Sequence, residues 1–117
     1  MSTLRVDTLQ NRSGGDLITA KGMARAWVNF NGTGTVAIRS SLNVTSITDN
    51  GTGIYTINFS SAFANTNYCL TGTASEEDLR ENIVIISSVA TSSAQIKTRG
   101  GGGSIRDSAI LNAIVMA

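Results

Sequence analysis

The chain contains no histidine and no proline, and it has one cysteine, one tryptophan and two tyrosines among its 117 residues. Without histidine, the usual general base of neutral pH and the usual transition-metal ligand are both missing. A single cysteine excludes an intrachain disulfide and a zinc held by a cysteine pair. Cys69 lies in the apolar run 68–70 and is expected to be a small buried hydrophobe. Charge is scarce as well: 15% of the residues are charged, where roughly 25% is usual for soluble domains. The net charge is +1, and the basic residues are scattered between Arg5 and Arg106 without a cluster. Nucleic acid and anionic membrane are therefore not expected partners. No apolar run approaches the roughly 20 residues that span a bilayer, and residues 1–10 have neither the basic start nor the apolar centre of a signal peptide. Proline is a common blocker of open sheet edges; its absence leaves other devices, among them burial between subunits.

What the chain does have is serine, threonine, asparagine and glycine, and a repeated turn phrase. Asn-Gly-Thr-Gly occurs at 31–34 and again at 50–53, each copy set between β-branched and aromatic residues. Asn-Gly takes the positive φ values of tight hairpin turns at little steric cost, so each copy is expected to double a strand back. Val28 and Phe30 fall on one face of the strand before the first turn, with Trp27 and Asn29 on the other. Tyr55, Ile57 and Phe59 share a face after the second, opposed by Thr56 and Asn58. This period of two predicts an antiparallel sheet with one face buried and one solvated.

Further along, residues 67–74 predict a strand with Tyr68 and Leu70 on one face. Residues 75–82 then concentrate charge in Glu76, Glu77, Asp78, Arg80 and Glu81. Their spacing matches no known calcium loop and Arg80 interrupts the acids, so a solvated loop or a single helical turn is expected there and no metal. The run Ile83-Val84-Ile85-Ile86 requires cover on both faces, one from a second sheet and one from a neighbouring subunit. A strand over 94–98 is expected to pair with it across Ser92 and Ser93. Glycines 100–103 invite a phosphate-loop reading, but no Lys-Ser or Lys-Thr follows and no helix begins there, which leaves a flexible loop at one end of the sheet. Residues 109–116 predict a closing strand. The sequons at Asn11, Asn31, Asn43, Asn50 and Asn58 are read as turn and strand chemistry. Residues 1–25 form an arm too poor in apolar groups to fold alone, with Leu4, Val6, Leu9, Leu17 and Ile18 as its docking groups. One domain follows over 26–117.

The wording AWVNFNGTGTVAIRSS, followed by SITDNGTGIYTINF, resembles the C-terminal domain of bacteriophage tail-fibre proteins of the marine and cyanobacterial type. The opening STLRVDTLQNRSGGDLI is similar to the start of such fibres, and the closing DSAILNAIVMA to the last strand of their domain. The resemblance implies a virion protein whose C-terminal domain trimerises, whose arm docks on other virion proteins, and whose loops attach the particle to a host-surface glycan or protein. It further implies synthesis in the host cytoplasm, release by lysis, and no cofactor. Fibres of this kind carry a long shaft, whereas here the arm runs almost directly into the domain; a decoration or tail or neck accessory protein with an assembly role alone is the second reading.

The fold class expected is thus all-β: a small antiparallel sandwich or barrel-like domain of about eight strands with an extended N-terminal arm, expected from the resemblance to assemble as a homotrimer. No serine sits in a nucleophile elbow, and the acidic residues divide between one local cluster and Asp7, Asp16, Asp49 and Asp107, which lie in turns or the arm. An enzyme is not expected. The candidate receptor-binding residues are Glu76, Glu77, Asp78, Arg80 and Glu81 in one loop and Arg99, Arg106 and Asp107 in another. A free carbohydrate-binding module is the third reading. It would need an aromatic platform, and Trp27, the one aromatic facing away from the alternating core, is expected instead to be covered by a subunit or a second core.

Overall fold

In the computed structural model, which describes residues 2–3, 24–75 and 82–117, the chain is all-β. Eight strands run β1 (Ala24–Asn31), β2 (Ala37–Leu42), β3 (Val44–Asp49), β4 (Ile54–Phe59), β5 (Cys69–Ala74), β6 (Ile83–Val89), β7 (Ser93–Arg99) and β8 (Leu111–Met116). They form two four-stranded sheets of order β2-β1-β8-β5 and β3-β4-β7-β6, every pairing antiparallel. No helix occurs among the described residues. The arm residues Leu4, Val6, Leu9, Leu17 and Ile18, and the whole expected loop or turn over 76–81, lie outside the described residues.

The alternation read from the sequence is the alternation of the core. Val28 and Phe30 from β1, Tyr55 and Ile57 from β4, Ile96 from β7, and Leu111 and Val115 from β8 all turn inward and lose almost all contact with water. The two sheets meet where the ring edge of Phe30 points at Tyr55, centroids 5.2 Å apart and planes at 74°. That edge-to-face arrangement sets positive ring hydrogens against a negative ring face. At the other end of the sandwich Phe59, Phe63 and Tyr68 stack as a second aromatic group, with centroids 4.8 Å apart for the two phenylalanines.

Both Asn-Gly-Thr-Gly copies make hairpins, β1 to β2 and β3 to β4. Their geometry differs from the tight primed turn expected. Positive φ falls on Gly34, Gly51 and Gly53, while neither Asn31 nor Asn50 adopts it. The asparagine and aspartate side chains instead fold onto the turn backbone: Thr33 N donates to Asn31 Oδ1 at 3.0 Å and Gly51 N to Asp49 Oδ1 at 3.0 Å. The loops are longer, and the polar side chains replace the missing cross-strand bonds. The one non-glycine residue with positive φ is Asn43, at 54°, where the chain leaves the first sheet for the second. Its side chain reaches Ser61 twice, accepting from Ser61 N at 2.7 Å and donating to Ser61 O at 3.2 Å.

Two further expectations are corrected. Cys69 is exposed, because Leu70 takes the inward position at the start of β5 and the pleat turns its neighbour out, opposite Met116. The closing strand is present as expected, and β8 sits in the middle of the first sheet, between β1 and β5. The glycine run is an ordered turn, closed by Gly100 N to Ser104 O at 2.9 Å and Gly103 N to Gly100 O at 3.1 Å.

Adjacent residues at the head of β8 isolate the effect of burial, since Leu111 is 0% and Ile110 45% exposed. Leu111→Ala is expected to cost about 2–5 kcal/mol in urea unfolding, and Ile110→Ala less than about 1 kcal/mol; equal costs would mean that β8 is not central.

Candidate functional site: the loop end of the sandwich

Because every strand is antiparallel to its neighbours, the connections sort into two sets. Loops 32–36 and 50–53, the residues Ser75 and Asn82 flanking the acidic stretch, and loop 100–110 gather at one end, and β1 begins at Ala24 at the other, where β8 also finishes. Hydrogen bonds tie the loops of the first end to one another. Gly32 N donates to Ser108 O at 2.9 Å, Ser75 N to Ile110 O at 2.9 Å, and Asn82 Nδ2 to Ser75 O at 2.8 Å and Ser108 Oγ at 3.2 Å. Loop 100–110 therefore touches the other three.

Tyr55 is the centre of this arrangement. Its ring belongs to the core, and its hydroxyl lies 2.8 Å from both Gly32 O and Asp107 Oδ1, to which it offers its one proton. Asp107 accepts a second bond from Gly53 N at 2.7 Å. Burial of the phenol, reinforced by the bond to Asp107 and by the charges of Asp107 and Asp49, pushes the Tyr55 pKa far above its ordinary value of about 10. Gly53 has φ +66°, and a Cβ there would stand 2.7 Å from Arg106 O. Arg106 N in turn donates to Thr98 O at 3.1 Å, and the Thr98 hydroxyl donates to Arg106 O. Strand end, glycine turn and long loop are thus pinned as one body.

The expected site residues separate on this platform. Asp107 is turned into the loop junction as a structural acceptor. Arg106 lays its side chain along Gly100, where an added Cβ would be 3.1 Å from Arg106 Cδ. Arg99 is exposed at the end of β7. Glu76, Glu77, Asp78, Arg80 and Glu81 lie outside the described residues, but the loop that holds them begins at Ser75 and ends at Asn82, both bonded to loop 100–110. The two residues that flank the acidic stretch are therefore neighbours of loop 100–110.

Two further surfaces bear on the expectations for Trp27 and for the run 83–86. On the outer face of the first sheet, Trp27 stands between Leu42 and Ile114, and the parallel row Asn29, Asn112 and Thr73 is bonded across three strands, Asn29 Nδ2 to Asn112 Oδ1 at 2.5 Å and Asn112 Nδ2 to Thr73 Oγ1 at 3.3 Å. Trp27 and Ile114 line a groove of about 330 Å³ there. Trp27 is half-buried by its own sheet and covered by no second core. On the second sheet, β6 is an edge strand, and of its apolar run only Val84 packs on the core. Ile83, Ile85, Ile86 and Val89 are all more than a third exposed. Among the described residues nothing covers the outward side of this run.

Among the described residues no three His, Cys, Asp or Glu side chains gather as a metal site. No family model, curated protein or solved structure matches the chain.

Tyr55→Phe keeps the ring and removes the hydroxyl that serves Gly32 and Asp107, so a loss of about 1–3 kcal/mol is expected in chemical unfolding. Because the folded state raises the Tyr55 pKa, its contribution is complete below pH 10, the ordinary phenol value, and is lost as pH climbs above it. The wild-type protein should lose stability in that alkaline range, and Tyr55→Phe should lose less; identical slopes would contradict the junction described.

Proposed function

We propose that this chain is a subunit of a bacteriophage virion appendage, of the tail-fibre kind, that works in several copies, as a trimer, to attach the particle to a host surface. The observation that carries the reading is the polarity of the fold. Ser75 and Asn82, which flank the acidic stretch, are bonded to Ile110 and Ser108 of loop 100–110 at the end of the sandwich away from Ala24, where β1 begins. A docking arm at one end and a contact surface at the other is the arrangement an appendage needs. The phrases at 26–41 and 46–59, which resemble fibre domains, support the same reading. So does the uncovered strand β6, which calls for a partner.

The mechanism is adhesion by number. Each loop contact is weak, and several copies on one particle raise the effective concentration of the remaining contacts once the first has formed. Binding without bond-making is the work assigned to the loops, with a host-surface glycan or protein as the ligand. A decoration or neck role would use residues 1–20 on another virion protein and leave the loops idle.

Adsorption of the labelled protein to host cells tests this. Replacing Glu76, Glu77 and Asp78 by serine together with Arg99→Ala is expected to reduce adsorption at least tenfold while the thermal unfolding midpoint stays within a few degrees. Asp107 is not a suitable target, since its loss opens the loop junction. Undiminished adsorption by the loop variant, or none by the wild type alongside tight binding to another virion protein, would overturn the reading.

A further inference from the structure

Asparagine is followed by glycine twice in the chain, at Asn31-Gly32 and Asn50-Gly51, each time at the head of the same four residues. Such a pair can lose the side-chain amide without an enzyme. The glycine nitrogen attacks the asparagine Cγ, a C–N bond forms, and the side-chain nitrogen leaves as ammonia with the proton that the glycine nitrogen gives up. Water then opens the five-membered succinimide at either carbonyl and leaves aspartate or isoaspartate. Glycine favours the attack because no Cβ obstructs it and its backbone turns freely. In an unfolded chain the two copies share this chemistry, and the fold sets them apart.

At the first copy the nucleophile is locked in place. Gly32 is buried; its N–H donates to Ser108 O at 2.9 Å, and its carbonyl accepts the Tyr55 hydroxyl at 2.8 Å. A Cβ on Gly32 would stand 2.7 Å from Leu111 Cδ1, so this peptide has little room to swing toward Asn31 Cγ. Asn31 is itself paired with Ala37 in the ladder, and its Oδ1 is held by Thr33 N at 3.0 Å and Thr33 Oγ1 at 2.7 Å. At the second copy Asn50 and Gly51 are both exposed. Gly51 has φ +123°, and no atom lies within 4 Å of where its Cβ would be. Its N–H is held by the exposed side chain of Asp49, with Oδ1 at 3.0 Å, a carboxylate able to take up the departing proton. Asn50 Nδ2 donates to Thr56 Oγ1 at 2.6 Å, a surface bond that water can replace. We infer that Asn50 is a site of spontaneous deamidation through a succinimide in the folded protein, and that Asn31, in the same phrase, is protected by the loop junction. The product sets a second carboxylate beside Asp49 and removes the donor that Thr56 accepts. Isoaspartate also lengthens the backbone inside a turn closed by Asn50 N to Ile54 O at 2.9 Å and Ile54 N to Gly51 O at 3.0 Å. The loop end thus gains charge and loses a turn bond as the protein ages, whatever that end attaches to.

Peptide mapping by tandem mass spectrometry tests this on the full chain, held folded in mildly alkaline buffer at body temperature, with the same chain unfolded in guanidinium chloride as the reference. Unfolded, the two asparagines are expected to convert to aspartate and isoaspartate at similar rates. Folded, Asn50 is expected to convert at least tenfold faster than Asn31. Conversion through global unfolding would strike both sites alike, so the ratio reports the folded state. Asn50→Gln, which keeps the amide and moves its carbon out of reach of a five-membered ring, is expected to end conversion at that position and to leave Asn31 as slow as before. A folded chain in which Asn31 converts as fast as Asn50 overturns the inference, as does one in which neither converts while both do in guanidinium chloride. No host cell enters the assay, so its outcome and that of the adsorption experiment are read separately.

Discussion

The hydroxyl of Tyr55 is the point on which both halves of this structure turn. Its ring is fully buried between the sheets against Phe30, and its oxygen emerges where Gly32, Asp107 and Gly53 converge. A phenylalanine would fill the same space in the core, yet it would leave the loop end without its shared donor. A tyrosine can serve both because it is apolar along its length and polar at its tip. The core therefore dictates where the loops stand, and the loops in turn keep the phenol neutral by burying it beside two carboxylates.

From that junction the molecule divides by face as well as by end. The outer face of β3 and β4 is a mesh of amides and hydroxyls, with Asn58 donating to Ser46 and Thr48 and Asn50 to Thr56. Such a surface is at ease in water with little charge, which accounts for the low charge of the chain. The corner at β5 and β6 is different. There the hydroxyl mesh gives way to isoleucines on one side and to an indole-floored groove on the other.

How much of this was legible beforehand can be judged from particular residues. Val28, Phe30, Tyr55, Ile57 and Phe59 announced their side of the sheet through period two, and each is buried as that period requires. The Asn-Gly-Thr-Gly phrases announced hairpins, although the strained φ values settled on the glycines because Asn31 and Asp49 found backbone donors for their side chains. Cys69 was misjudged because its apolar neighbours say nothing of phase: Leu70 claimed the inward place and the pleat decided the rest. Asp107, read as a surface charge, is a loop acceptor, a role that depends on Tyr55 and Gly53, both more than fifty positions away by the separations of 52 and 54.

The sequence by itself determined what is local: an all-β chain, the strands and their inward faces, the turn positions, the charged loops and the absence of histidine chemistry. Pleat and turn geometry act over two to five residues, and those rules need no knowledge of the rest of the fold. Only the tertiary structure decided which strands are neighbours. It put β8 in the middle of its sheet and β6 at the rim of the other, brought Ser75 and Asn82 beside loop 100–110, and opened the Trp27 groove. Those outcomes come from pairings between residues far apart in the chain, where the same apolar run is equally suited to a covered centre or a bare edge until the other strands have taken their places.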